Sequence, residues 1–221
     1  MADREIFKFD DLYKAVERYS DITVVYRGVK SASYELVPKI GRYKRLHFKD
    51  RFKEERTILR LFREQALPYL TFTPQNDWEW LAIAQHHGLP TRLLDWSRNP
   101  LVAAYFAVES EHDGDSVIYA YRSNKRISTE TQGDPFARTT VGKFIPRHVT
   151  RRITAQTGLF TIHPYPQVRL KDSSIDRLII KRKYRKHLKQ TLFRYGIHRG
   201  SLFPDLDGLS RHIEWMRTDV Y

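Results

Sequence analysis

The sequence predicts one α+β domain. Helix-period and strand-period stretches alternate along its 221 residues, and neither a repeat nor a low-complexity linker separates them. A chain of this length buries one full core, and 41% hydrophobic content with 10 Gly and 10 Pro is that of an ordinary globular protein. The reading is a single domain over 1–221, with its core at about 20–215 and an N-terminal helix within 1–20.

Taken in order, Asp10 and Asp11 lead an amphipathic helix through Leu12, Ala15, Val16 and Tyr19. Ile22 to Tyr26 is a β-branched run ended by Gly28, which reads as a short buried strand. Residues 50–66 set Phe52, Ile58, Leu59, Phe62 and Ala66 at helical spacing among charges. Asn76 and Glu79 have capping-box spacing for a helix ending at His87, with Gly88 and Pro90 as its stop. Asn99 and Pro100 then start a helix to Val108 that is apolar nearly all round and so should be buried. The turn at 112–115 leads into a strand from Val117 to Tyr121. Residues 124–149 read as a long irregular loop region, Arg151 to Ile162 as a strand broken at Gly158, and Leu178 to Ile180 as another strand. A basic helix follows, with Ile180, Tyr184, Leu188, Leu192 and Tyr195 on its apolar side and Gly196 closing it. A last helix runs from Leu206 to Met216.

There is no cysteine, so disulfides and thiolate metal sites are excluded. With a polar N-terminus and no apolar run near ~20 residues, the expectation is a soluble cytoplasmic protein without a membrane partner. The formal net charge of +13 is unevenly spread. Residues 135–204 carry 16 Lys or Arg against Asp172 and Asp176, a net +14 that leaves −1 for the rest. A near-neutral body with one basic segment points to a polyanion, either RNA or DNA, with solvation or an acidic protein as the plainer readings. Lys181, Arg182, Lys183, Arg185, Lys186 and Lys189 crowd one helix with no acid between Arg177 and Pro204, and Arg151 and Arg152 add to them. Repulsion at i,i+4 goes unrelieved within that helix.

The densest passage runs from Gln85 through His86, His87, Thr91, Arg92, Asp95, Trp96 and Ser97 to Pro100. Charges at Arg92 and Asp95 beside a core need a partner or a ligand. Arg27 at a strand end beside Gly28 reads either as an anion or ribose clamp or as an ion pair with Asp95. His86 and His87 project about 100° apart on a helix end and lack a third ligand, so no metal is expected; one of them as a proton carrier is the better reading. Glu79 is accounted for by the capping box, and Trp78, Trp80 and Trp96 by the core.

These residues resemble the FRG domain, a family named after a Phe/Tyr-Arg-Gly signature, here Tyr26-Arg27-Gly28. The likeness continues through Trp78, Trp80 and Leu81, through Ala84 to Trp96, and through Asn99-Pro100-Leu101. Later matches are Arg152, Gln156, Gly158 and Phe160, then Leu202 to Gly208. The order of strand, second strand with buried helix, and late Gln-bearing strand is also similar to the three-motif layout of ADP-ribosyltransferases. That resemblance implies a mixed sheet flanked by helices and NAD as substrate. Tyr26, Arg27 and Gly28 would grip NAD, while Thr91, Arg92, Trp96 and Ser97 would shape the nicotinamide pocket. Arg27, Asp95, Gln156 and His87 would be the catalytic set. The third motif usually supplies Glu, but no Glu lies between Glu130 and Glu214, so Gln156, Asp205 or Asp207 would have to serve. The implied activity is ADP-ribosyl transfer to nucleic acid, as a bacterial toxin or phage-defence effector held by an acidic antitoxin or inhibitor. A non-catalytic nucleic-acid or nucleotide-binding module and a metal-independent nuclease using His87, Asp95 and Arg92 are the rival readings.

Overall fold

The computed structural model describes residues 3–19, 21–70, 72–128, 133–146 and 151–218. Seven strands form one mixed sheet in the order β1-β7-β4-β2-β3-β6-β5. They are β1 (Asp3–Ile6), β2 (Val24–Val29), β3 (Leu93–Ser97), β4 (Ser116–Arg122), β5 (Gly142–Phe144), β6 (Gly158–Ile162) and β7 (Ile175–Ile180). Only β1 and β7 run parallel. Among the described residues the helices are α1 (Phe9–Glu17), α2 (Lys39–Arg42), α3 (Arg51–Ala66), α4 (Asp77–His86), α5 (Pro100–Val108), α6 (Arg151–Ala155), α7 (Arg185–Arg194), α8 (Arg199–Leu202) and α9 (Leu206–Thr218).

The register explains the site. β2 pairs with β4 over six residues, and β3 with β6 over five, yet β2 and β3 meet only at Tyr26 and Ser97. The sheet is therefore two halves, β1-β7-β4-β2 and β3-β6-β5, hinged on one residue pair. α1, α5 and α7 bury Leu12, Ala103, Ala107, Leu188 and Leu192 against the first half. α3 and α4 bury Leu59, Trp78 and Leu81 against Leu93, Phe160 and Ile162 of the second.

Local chemistry sets the helix ends. Asn99 Oδ1 accepts the Leu101 N–H at 2.9 Å, with Pro100 in the first turn of α5. Asn76 Oδ1 accepts the Glu79 N–H at 3.0 Å, while Glu79 Oε2 accepts from Gln75 N at 2.7 Å, one residue earlier than a capping box requires. Gly88 ends α4 at φ +82°, a conformation glycine adopts without a Cβ penalty.

Three expectations are corrected. Residues 151–155 form a short helix rather than the first part of a strand, and the chain turns at Thr157, φ +46°, into β6. The loop region contains the edge strand β5 and a 3-10 turn at Pro135–Ala137. The N-terminal helix is preceded by β1, whose partner lies more than 170 residues away.

Candidate functional site

Where β2 and β3 part, a cleft of about 520 Å³ opens between the two half-sheets, α5 and α6. Arg27 reaches across the gap. Its Nη1 donates to the Asp95 carbonyl at 2.7 Å and lies 3.4 Å from Asp95 Oδ2. The carboxylate is half exposed to the cleft. Its Oδ2 also accepts from Gln85 Nε2 at 2.8 Å, and Gln85 Oε1 accepts from Thr91 Oγ1 at 2.6 Å. Thr91 Oγ1 in turn accepts the Leu93 N–H, which leaves its proton for Gln85 and fixes the amide orientation. Asp95 is thus held from α4 and from the start of β3.

Tyr26, Arg27, Gly28, Asp95, Trp96, Ser97, Arg152 and Gln156 all line the cleft. Lys30, Tyr34, Gln85, His86 and Phe106 join them; Lys30, Tyr34 and Phe106 were not among the expected site residues. Gln85 and His86 stood in the densest motif; Tyr34 lies in a loop with no periodic signal.

Ser97 Oγ donates to the Gln156 carbonyl at 2.8 Å and so holds the turn between α6 and β6 against β3. Gln156 Nε2 donates to the Leu202 carbonyl at 3.1 Å, which leaves its amide oxygen as the atom offered to a ligand. Trp96 is buried, and its Nε1–H donates to Thr161 Oγ1 at 2.8 Å. Burial, with the neighbouring positive charge of Arg152, pushes His86 down to about 4, so the ring facing the cleft is neutral at pH 7. Arg27, Lys30 and Arg152 then face Asp95, a positive balance suited to an anion.

Several expected site residues lie elsewhere. Arg92 is fully buried away from the cleft. Its Nε donates to Glu55 Oε2 at 2.9 Å, its backbone N–H donates to Oε1 at 2.8 Å, and its guanidinium lies over the Phe52 and Phe136 rings. The charge found its partner on α3 and joins that helix to β3. Thr91 is buried and reaches Asp95 only through Gln85. His87 lines a separate apolar groove with Ile58, Phe62 and Leu89, because one helical step carries it away from His86. The cleft-facing approach at Gly28 is taken by protein. A Cβ there would lie 1.7 Å from the Ala103 carbonyl oxygen, so the glycine lets β2 pack on the α5 backbone. Neither Asp205 nor Asp207 lines the cleft, although the Asp205 charge acts on Arg152 and His86.

In the basic segment the expected unrelieved repulsion is not found. Its repulsion is relieved from outside the helix. Arg185 is buried and donates to the Ser110 carbonyl at 2.7 Å and to the His112 carbonyl. Lys189 donates to the Glu109 carbonyl at 2.8 Å. Lys189 thus caps α5 at its C-cap residue, and Arg185 holds the loop that follows. Lys181 pairs with Glu5 and Asp115, and Arg182 with Asp113. Of the expected nucleic-acid residues in this segment, Lys183, in the turn before α7, and Lys186 stay exposed without an ion pair among the described residues; Arg151 is exposed on α6.

Among the described residues no group of three or more His, Cys, Asp or Glu is placed to hold a metal ion, and no helix is long and apolar enough to cross a membrane. A family model described as the FRG domain matches residues 22–116, from β2 to the first residue of β4. It covers the Tyr26-Arg27-Gly28 and Gln85–Ser97 blocks and stops before Gln156. No curated protein and no solved structure matches the chain.

Proposed function

Since the chain carries an FRG domain over residues 22–116, we propose that this cleft takes NAD and transfers its ADP-ribosyl group to a nucleic acid. The observation that carries the reading is the parted sheet. It offers a cleft within the roughly 300–1,000 Å³ range of small-molecule sites, with Arg27, Lys30 and Arg152 converging on it against the single lining carboxylate of Asp95. A dinucleotide's diphosphate matches that balance, because a guanidinium forks onto phosphate oxygens.

Transfer breaks the bond between ribose C1′ and the nicotinamide nitrogen, releases neutral nicotinamide, and joins C1′ to an acceptor oxygen or nitrogen that gives up a proton. Arg27 holds the diphosphate side, kept in place by the Asp95 carbonyl. Asp95 steadies the positive charge that builds at C1′ and takes the acceptor's proton, with Gln85 fixing its direction. Gln156 offers its amide oxygen to a ribose hydroxyl or to the acceptor. His86, neutral and half-buried, walls the cleft.

Incubation of purified protein with labelled NAD and total nucleic acid tests this. Label on RNA or DNA, reduced at least a hundredfold in Arg27→Ala (an oxyanion-hole-sized loss, about 10²-fold), is the expected result. Label on protein would keep the chemistry and refute the acceptor. The absence of any NAD consumption would leave a binding module, the reading that the missing third-motif Glu favours.

A further inference from the structure

The parting of the sheet opens on two sides. A second cleft, about 890 Å³, shares Tyr26 and Leu159 with the first as a common wall. Lys143 of β5 lines it, only 8% exposed, with its Nζ donating to the Thr23 carbonyl at 2.6 Å. Burial lowers the pKa of that ammonium, the Asp21 charge works against the shift, and the charges of Arg98 and Arg126 add to it; Arg98, Arg126 and Lys143 all line the one cleft. Among the described residues Asp21 is the single carboxylate lining it, and that group accepts the Thr23 N–H at 2.7 Å. Arg98 and Arg126 are exposed, and neither pairs with a carboxylate among the described residues.

The backbones that carry these cations are fixed. Arg126 bridges Lys143, with Ile127 N donating to the Lys143 carbonyl at 2.7 Å and Lys143 N to the Lys125 carbonyl at 2.8 Å. Arg98 N donates to the Thr157 carbonyl at 3.1 Å, which ties it to the turn beside Gln156. Ile22, 94% exposed, adds an apolar edge against which a base can pack. Three cations against one carboxylate leave a positive balance that favours an anion.

We propose that this second cleft binds the phosphodiester backbone of a single-stranded nucleic acid and leads it to the Tyr26–Ser97 hinge. The proposal rests on the transferase reading for what happens there, but the binding stands without it. It also moves the strand from α7, where Arg185 and Lys189 are bound up in the fold, to Arg98 and Arg126.

The test is fluorescence anisotropy with a short labelled single-stranded RNA and its DNA counterpart over a salt series. Each single-strand phosphate contact contributes about 0.7 to the log–log salt slope, so Arg98→Glu with Arg126→Glu should flatten it by about 1.4 and weaken binding at least tenfold. The neutral pair Arg98→Gln with Arg126→Gln should show the same direction, and circular dichroism should match wild type in both. Lys183→Glu with Lys186→Glu should bind within about twofold of wild type if few phosphates meet α7. Unchanged binding in the Arg98/Arg126 pair, or loss confined to the Lys183/Lys186 pair, overturns the proposal. Displacement of the strand by inorganic phosphate or AMP at equal phosphate concentration would mark a free-anion site and overturn it too. NAD turnover without nucleic acid is read in parallel. Absent turnover with strand binding lost in the Arg98/Arg126 pair would refute the transferase reading and leave this site standing.

Discussion

Arg27 and Arg92 have the same side chain and opposite surroundings, and the difference separates a site residue from a structural one. Arg27 keeps a partly exposed guanidinium, held by a backbone carbonyl and a carboxylate 3.4 Å away that is itself shared with Gln85. Arg92 gives its donors to Glu55 in a fully buried pair. Taking away one member of such a pair strands the other, so Glu55→Ala should cost about 3–5 kcal/mol, read by urea unfolding, while Glu55→Leu combined with Arg92→Met should cost much less. Equal losses in the two variants would show that packing rather than charge dominates. On the proposed transferase reading, Gln85→Leu should leave the fold intact and lower NAD turnover at least tenfold with little change in KM, because it frees Asp95 without removing a group proposed to grip the diphosphate. A change in KM alone would instead place Gln85 among the binding residues.

Among the elements, the clearest in the sequence were those with caps and one continuous pattern. Asn99-Pro100 and nine apolar residues fix α5, and Asp50 caps α3. α6 was missed because five residues are too few for a helical period, and Ile153 and Thr154, both β-branched, read equally well as strand. The cleft residues of β2 and β3 were legible as chemistry but not as a gap, since a single bridge at Tyr26–Ser97 is a property of pairing that no local pattern records. The charge on α7 was legible and its use was not, because the carbonyls it meets lie about 75 residues earlier. Arg185→Leu removes two bonds from a charged donor to the loop that follows α5 and should lower stability by about 3–6 kcal/mol, given ~1.5–3 kcal/mol per charged hydrogen bond. Nucleic-acid binding by the folded fraction should be unaffected. Weakened binding at unchanged melting temperature would return α7 to the interface.

Across the whole molecule, the joint between the half-sheets is polar inside as well as at its cleft, and that makes stability depend on acid. His163, 2% exposed after β6, has Nε2 2.9 Å from Thr161 Oγ1, which also accepts the Trp96 N–H and has its own proton to offer the ring. Burial, with the charge of Arg27 adding to it, pushes His163 from its ordinary 6.5 to about 3, and His86 to about 4. An unfolded chain takes up protons on both rings as pH falls below 6.5, whereas the folded chain resists until near 4 and 3. Their contribution is therefore complete above pH 6.5 and declines as pH falls toward those folded values. From His163 alone the slope approaches about 1.4 kcal/mol per pH unit; His86, partly exposed, adds less. Urea midpoints measured from pH 7 to pH 5, above the range where the surface carboxylates titrate, should fall steadily in wild type. His163→Gln, less stable at pH 7 if the ring packs as described, should show a visibly flatter profile. A wild-type profile flat to pH 5 would mean that the ring is not neutral and buried, and that the joint between the half-sheets admits water.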